Sequence, residues 1–301
     1  MNYLKGHKVA SVPALFVICR YLASEPDGAS QAELQHALHP SGLTRGRGRQ
    51  VAGGEDGPPA VLTASLAVGR DLVLLEAAET GTDRDRYRLP AALREEVLRV
   101  PAADSRAFRA LVLRRLGARA LAAVEAGQSP PDLALALTWL LQQDPLVPLL
   151  SRWGHGPEAA VRNSGLGAAV ADAEQWRTLL RWARALGLAH FAQAGGRQCV
   201  LADPTTAVED SLDVLPRRAA AAQWFQALRE LLPVLGAPQL LIELPPDTAE
   251  LPATTTLAVR KLERLGRLRL VAADDATDAV VLALGGRPQR VSEVHVLAAA
   301  A

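Results

Sequence analysis

The sequence is poor in the residues on which several classes of protein depend. With only two cysteines, Cys19 and Cys199, it excludes a disulfide framework and a zinc finger built on cysteine ligands. No uninterrupted apolar run approaches the roughly 18 to 20 residues of a membrane-spanning helix, so we expect no membrane partner. The formal net charge of +1 favours neither an acidic nor a basic partner.

Lysine is also scarce, and this excludes particular catalytic motifs. It occurs only at Lys5, Lys8 and Lys261, and none of these follows glycine, as the lysine of a Walker phosphate loop must. No acidic residue stands two positions before a lysine, which excludes a Glu-x-Lys nuclease motif. The six histidines are not spaced like metal ligands. We therefore expect a protein that is not an enzyme, with no catalytic residue, no metal and no cofactor.

What the sequence does contain is a series of helix signals near its start. Ser11-Val12-Pro13 predicts a helix that runs to about Ala23. Ser30 and Glu33 have the spacing of a capping box and predict a second helix that ends before Pro40. These two helices favour a compact helical start to the chain.

A third helix and a hairpin are predicted next. The helix should run from Pro58 to Val68 and stop at Gly69, and the segments 72–75 and 87–89 should form the two strands. Three helices followed by a β-hairpin is the order of a winged helix-turn-helix module.

The end of this pattern recurs twice. Helices that stop at Gly187 and Gly266 are each followed by an alternating stretch, a polar tip and a return strand, near 198–202 and 279–284. We therefore predict a mainly α fold with small β-hairpins, built from tandem winged helix-turn-helix modules joined by helical segments. Helices predicted over 103–126, 132–142 and 217–232 supply those segments.

This pattern divides the chain into four parts. The predicted parts are a winged-helix module over 1–100, a helical connector over 101–150, a second module with a trailing helix over 151–250, and a degenerate unit over 251–301.

The second module carries the clearest pattern for nucleic-acid binding. Arg177, Arg181 and Arg184 are spaced four and three residues apart, so they share one face of the predicted third helix. Arg197 adds a cation at the tip of the following hairpin. Because arginine dominates the basic residues throughout the chain, a merely solvated helix face is an equally good interpretation.

The other two modules are weaker candidates. In the first, the loop before the third helix holds Arg45, Arg47 and Arg49, and the hairpin holds Arg84, Arg86 and Arg88. These arginines favour phosphate contact without sequence specificity, or simply a solvated surface. The third module has three carboxylates in its hairpin tip, Asp274, Asp275 and Asp278, which phosphate would repel, so it is expected to pack on a neighbour or a partner protein.

Three segments resemble a known family. The helix VPALFVICRYL at 12–22, the stretch QWRTLLRWARALG at 175–187 and the segment RVSEV at 290–294 are similar, in this order, to DpdG. This family is a component of bacterial Dpd clusters, which place 7-deazaguanine bases in DNA and restrict unmodified DNA. The resemblance implies a part in defence against phage, beside helicase and nuclease partners, and it supplies no catalytic residues.

Together these observations predict a cytoplasmic, non-enzymatic winged-helix protein that binds DNA, mainly through phosphates, or scaffolds a defence complex. Two alternatives remain open at this point. One is a winged-helix transcriptional regulator with an effector pocket in its helical middle, and the other is a protein-binding adaptor without DNA affinity. The basic and apolar start of the chain also resembles a secretion signal, but Arg20 and Tyr21 follow it directly.

Overall fold

A computed structural model describes residues 1–38, 60–77, 86–101, 104–241, 250–272, 279–285 and 288–298. Over these residues the protein is mainly helical with small antiparallel sheets, as the sequence predicts. None of the helices among them is both long and apolar enough to cross a bilayer. Several predicted site residues, Arg45, Arg47, Arg49 and Arg84, lie outside the described residues, as does the acidic tip over 274–278.

The helices within the described ranges are numbered in chain order. They are α1 (Tyr3–Gly6), α2 (Val12–Ser24), α3 (Gln31–Leu38), α4 (Ala60–Asp71), α5 (Ala91–Arg99), α6 (Arg106–Glu125), α7 (Asp132–Gln142), α8 (Pro157–Asn163), α9 (Ala173–Ala185), α10 (Thr205–Glu209), α11 (Ala221–Leu231) and α12 (Ala253–Arg264).

The strands of the described residues belong to three separate sheets. They are β1 (Ala29–Ser30), β2 (Glu76–Ala77), β3 (Arg86–Arg88), β4 (Leu149–Leu150), β5 (Ala189–Ala194), β6 (Arg197–Ala202), β7 (Arg218–Ala220), β8 (Leu268–Ala272), β9 (Val280–Leu282) and β10 (Gln289–Val296).

The chain forms two compact units. The smaller unit is Gly6–Phe108, and the larger unit combines Met1–Lys5 with Arg109–Ala301. In the larger unit, the buried carboxylate of Asp132 accepts hydrogen bonds from the backbone N–H groups of Tyr3 and Leu4, at 2.6 and 3.0 Å. This contact holds the first residues of the chain against the start of α7. The four-part division predicted from the sequence stays a prediction.

The start of the smaller unit follows the helix signals in the sequence. The Ser11 hydroxyl accepts the N–H of Ala14 at 3.4 Å and caps α2. At the start of α3, the Glu33 carboxylate accepts the N–H of Ser30 at 2.7 Å, and the Ser30 hydroxyl accepts the N–H of Glu33 at 3.2 Å. Both hydrogen bonds of the predicted capping box are therefore present.

The sheet of the smaller unit has β3 between β1 and β2, with antiparallel pairing on both sides. Gly28 precedes β1 with a φ of +73°. A Cβ there would lie 2.5 Å from the Tyr87 carbonyl oxygen, so only glycine allows β1 to approach β3 this closely.

The predicted end of the third helix is wrong. Helix α4 continues past Gly69 to Asp71, and residues 72–75 form a turn instead of the predicted strand. The left-handed residue that follows the helix is Val73, with a φ of +54°. Gly69 has a packing role, because a Cβ there would lie 2.7 Å from the Leu75 side chain.

In the larger unit, the ribbon predicted after Gly187 is confirmed. Strands β5 and β6 pair antiparallel from Ala189↔Ala202 to Ala194↔Arg197. The tip is Gly195-Gly196, with φ values of +56° and +72°, and two consecutive left-handed residues are what a tight hairpin turn requires. Strand β4 pairs with the outer side of β6, so β6 is central in this sheet.

The predicted third ribbon is wrong. Within the described residues, β8 and β9 pair with β10 and not with each other. Strand β10 lies between β7 and β8, and its first residues also pair with β9. The helix predicted from Arg217 is also corrected, because residues 218–220 form β7 and α11 begins at Ala221.

The three sheets share one connectivity. In each, a short first strand is followed, among the residues that the structure describes, by two α-helices and then a second strand, and a later strand pairs between those two. The order is β1-β3-β2 in the first sheet, β4-β6-β5 in the second and β7-β10-β8 in the third. The third sheet differs by the additional strand β9.

The helix before the second strand also ends alike in the three cases. In each, the N–H of the residue after the left-handed position bonds to a carbonyl five residues earlier, at 2.8 Å. The pairs are Leu74 to Gly69, Leu188 to Ala183 and Arg267 to Leu262. The recurring chain reversal is therefore real, although glycine occupies its left-handed position only at Gly187 and Gly266.

Candidate functional site

Helix α9 is built by strong local signals. Asp172 caps it, and its carboxylate accepts the N–H groups of Glu174 and Gln175, each at 2.8 Å. The side chains of Trp176, Leu179 and Ala183 on one face of the helix are fully buried. The opposite face is therefore fixed towards solvent.

A cluster of aromatic side chains packs against the buried face of this helix. Trp176 lies 6.3 Å from Trp139 and 6.1 Å from Trp153 between ring centroids. Its indole N–H donates to the Ser151 carbonyl at 2.8 Å. These contacts tie α7 and the segment after β4 to the buried face of α9.

The exposed face of α9 lines a groove of about 1440 Å³. Arg177, Arg181 and Arg184 form one wall, which confirms that the predicted arginines share a face. The ribbon β5–β6 forms the opposite wall and contributes Arg197 near its tip. The four arginines predicted for the second module are thus brought together in one place.

The groove also contains basic side chains that the sequence pattern did not reveal. Arg152 and His155 come from the segment after β4, and His190 comes from β5. Among the described residues that line the groove, none carries a carboxylate. The groove is therefore a positively charged cleft with five arginines, suited to an anionic ligand.

Two of these arginines interact closely with their surroundings, Arg184 through an aromatic ring and Arg181 through partial burial. The guanidinium carbon of Arg184 lies 4.5 Å from the centroid of the Phe191 ring, which is a cation–π contact. Partial burial lowers the pKa of Arg181 from its ordinary value. Arginine nevertheless stays charged at neutral pH, because its ordinary pKa is far above 7.

A buried carboxylate lies behind the ribbon, outside the groove lining. Asp203 accepts the ammonium of Lys261 at 2.5 Å and the N–H of Thr205 at 3.0 Å. Burial would raise the pKa of Asp203, but the hydrogen bonds from Lys261 and Thr205 outweigh it and hold the pKa below its usual value. The carboxylate also lies 3.8 Å from the ring of His190.

A comparison with protein families matches this chain. The family model described as DpdG-like covers residues 1–276, a span that includes the whole groove. The chain belongs to the DpdG-like family. Membership in this family indicates a component of a Dpd system. The curated proteins and the solved structures yield no match.

In this DpdG-like chain, Arg86 and Arg88 of the smaller unit are engaged locally. Arg86 donates to the carbonyls of Gly28 and Asp27, at 2.7 and 3.3 Å, and lies 3.3 Å from the Glu33 carboxylate. Arg88 lies 3.3 Å from the Glu76 carboxylate. A role in DNA binding for these two arginines, and for Arg45, Arg47, Arg49 and Arg84, stays a prediction.

The groove residues that the sequence did not predict were missed for one reason. Arg177, Arg181 and Arg184 of the DpdG-like chain are visible from helical spacing alone. Arg152 and His155 follow β4, and it is β4 that pairs with β6, a strand far along the chain. No local sequence pattern predicts that this segment reaches the groove. The adjacent Trp153, which packs against Trp176, is the one local sign that the segment contacts the core.

Proposed function

We propose that this DpdG-like protein is a non-enzymatic component of its Dpd system that binds DNA through the groove between α9 and the β5–β6 ribbon. The observation that carries the proposal is the set of five arginines lining one cleft, with no carboxylate among its described lining residues. Its non-enzymatic character is supported by the absence of Walker, Glu-x-Lys and clustered-histidine motifs from the sequence.

The connectivity of the sheets supports the winged-helix part of the proposal. A helix, a short strand, two helices and then a ribbon whose return strand is central is the order expected of a winged helix-turn-helix module. In such a module the helix before the ribbon and the ribbon itself both approach DNA. In this protein the groove lies between α9 and the β5–β6 ribbon of the second sheet.

The chemistry of the groove supports phosphate contact over base-specific readout. Arginine matches phosphate geometry through paired N–H donors. Phosphate contacts position a protein on DNA without carrying sequence information. We therefore expect weak sequence specificity and binding that depends steeply on salt.

Fluorescence anisotropy with labelled DNA tests the proposal. Each phosphate contact contributes about −0.9 to the slope of log affinity against log salt. With one phosphate contact for each of the five arginines, we expect a slope near −4.5 for the wild type, and near −2 for a variant with Arg177→Glu, Arg181→Glu and Arg184→Glu. The variant should also lose most of its affinity while keeping its melting temperature.

A matched control carries the same change of charge elsewhere. Arg217→Glu, Arg229→Glu and Arg269→Glu alter three arginines that do not line the groove, and this variant should keep most of the wild-type affinity. Equal losses in the two triple variants would refute the groove as the site.

Other results would select the alternative functions. Tight binding to one operator sequence, with little affinity for unrelated DNA, would favour a transcriptional regulator. An absence of DNA affinity at low salt would favour an adaptor that binds only proteins. A helicase or nuclease of the defence complex is the partner class that we propose, and co-purification of the two proteins would test it.

A further inference from the structure

The groove contains more than the cations that phosphate binding needs. Its ribbon wall carries an aromatic ring, Phe191, and two exposed amides, Gln193 and Gln198. Gln193 and Gln198 face each other across the β5–β6 pairing. Aromatic rings stack on bases, and amides can hydrogen-bond to the edges of bases.

One face of the Phe191 ring is occupied by a cation. The guanidinium carbon of Arg184 lies over the ring at 4.5 Å from its centroid, and both side chains line the groove. Such a pair is a ready platform, because a base can stack on a guanidinium as on an aromatic ring.

The spacing of the helix arginines fits a short stretch of one strand. From Arg177 to Arg184 the helix rises about 10 Å at 1.5 Å per residue. Stacked nucleotides of one strand are separated by about 3.4 Å along the axis, so the arginine wall spans about three nucleotide steps. The facing ribbon wall then meets the bases of that same strand.

We infer that the groove takes single-stranded DNA, with phosphates on the arginines of α9 and a base stacked on the Arg184–Phe191 pair. This inference rests on the proposed function and narrows its ligand. In a duplex the bases are paired and stacked inside the helix, so they do not reach a platform within a concave cleft. A single strand presents phosphates and base faces at once.

The experiment compares a labelled 12-nucleotide single strand with the duplex of the same sequence. We expect the wild-type protein to bind the single strand about ten-fold more tightly than the duplex. The fluorescence of 2-aminopurine placed in the single strand should be quenched on binding, because stacking quenches this base.

Two substitutions separate stacking from charge. Phe191→Leu should weaken single-strand binding about five- to ten-fold, a clearly larger loss than it causes for the duplex. Phe191→Tyr keeps the ring and should bind like the wild type. The strand preference of the wild-type protein is decisive by itself if Phe191→Leu fails to fold.

The outcomes distinguish this inference from the proposed function. If the duplex binds at least as tightly as the single strand, the inference is overturned and DNA binding by the groove stands. If neither form binds at low salt, both are overturned.

Discussion

Val73 combines a branched side chain with a backbone conformation that such residues rarely adopt. Its φ is +54° and the residue is 52% exposed, so it gains little burial in return for the strain. At the two equivalent helix ends the left-handed position is held by glycine, at Gly187 and Gly266. The helix end at Val73 is therefore maintained by the structure around it and not by its own residue.

We expect Val73→Gly to raise the free energy of unfolding of the smaller unit by about 0.5 to 1 kcal/mol. The left-handed conformation costs an L-residue roughly 1 to 2 kcal/mol, and the freedom of glycine in the unfolded chain offsets part of this gain. Urea denaturation followed by circular dichroism measures the change.

The control is Val17→Gly, which makes the same replacement at an exposed position inside α2. It should lower stability by up to about 0.5 kcal/mol, because glycine is a poorer helix former than valine. A loss of stability in both variants would contradict the strain at Val73.

At the level of elements, α9 is the helix on which the proposed site depends. Asp172 supplies its N-cap, with two hydrogen bonds of 2.8 Å to N–H groups of the first turn. The arginines of the groove lie one turn and more further along the same helix. Fraying of the first turn would therefore loosen the start of the arginine wall.

We expect Asp172→Ala to lower the free energy of unfolding of the larger unit by about 1 kcal/mol, because both first-turn donors lose their acceptor. Asp172→Asn retains a side-chain oxygen and should lose only a few tenths of a kcal/mol. Thermal melting measures the loss in each variant. A melting temperature of Asp172→Ala equal to that of the wild type would show that the cap contributes nothing.

Helix ends marked by a capping residue or a glycine could be predicted from the sequence, whereas very short strands could not. Ser11, the pair Ser30 and Glu33, and Gly187 each define a helix end by local chemistry, and each is confirmed. Strands of two or three residues, such as β4 and β7, are too short to show an alternating pattern.

Strand β10 was missed although it is eight residues long. Its pairing with β8 shifts register between Val291 and Glu293. As a result its buried residues, Val291 and Val294, are three positions apart, and this spacing imitates a helix. The predicted third ribbon failed for the same reason, since the true partner of β8 carried no strand signal.

On the scale of the molecule, the Asp203–Lys261 pair joins the end of the ribbon sheet to helix α12 within the larger unit. Asp203 is completely buried, and its carboxylate has partners from both sides. Because its pKa is held below the usual value, it stays ionised in the folded protein at a pH where the unfolded chain takes up a proton. Its contribution to stability is present above pH of about 4 and is lost as the pH falls further.

We expect Asp203→Asn to lower the free energy of unfolding by about 2 kcal/mol at pH 7, since Lys261 loses its charged partner in a partly buried place. The melting temperature of the variant should also depend less on pH below about 4 than that of the wild type. Differential scanning calorimetry from pH 7 to pH 3 measures both effects.

Glu95→Gln is the control, because it removes the carboxylate of an exposed pair with Arg99. Exposed pairs contribute little, so its stability should stay within about 0.5 kcal/mol of the wild type. An identical acid profile for Asp203→Asn and the wild type would contradict the assigned role of Asp203.

The central position of β10 also affects how the protein is made. Translation delivers β7 and β8 before the strand that pairs between them, and domains form in the order in which they leave the ribosome. Until residues 289–296 emerge, the edges of β7 and β8 that pair with β10 have no partner. Synthesis therefore contains an interval in which this part of the chain is open to chaperones and to self-association.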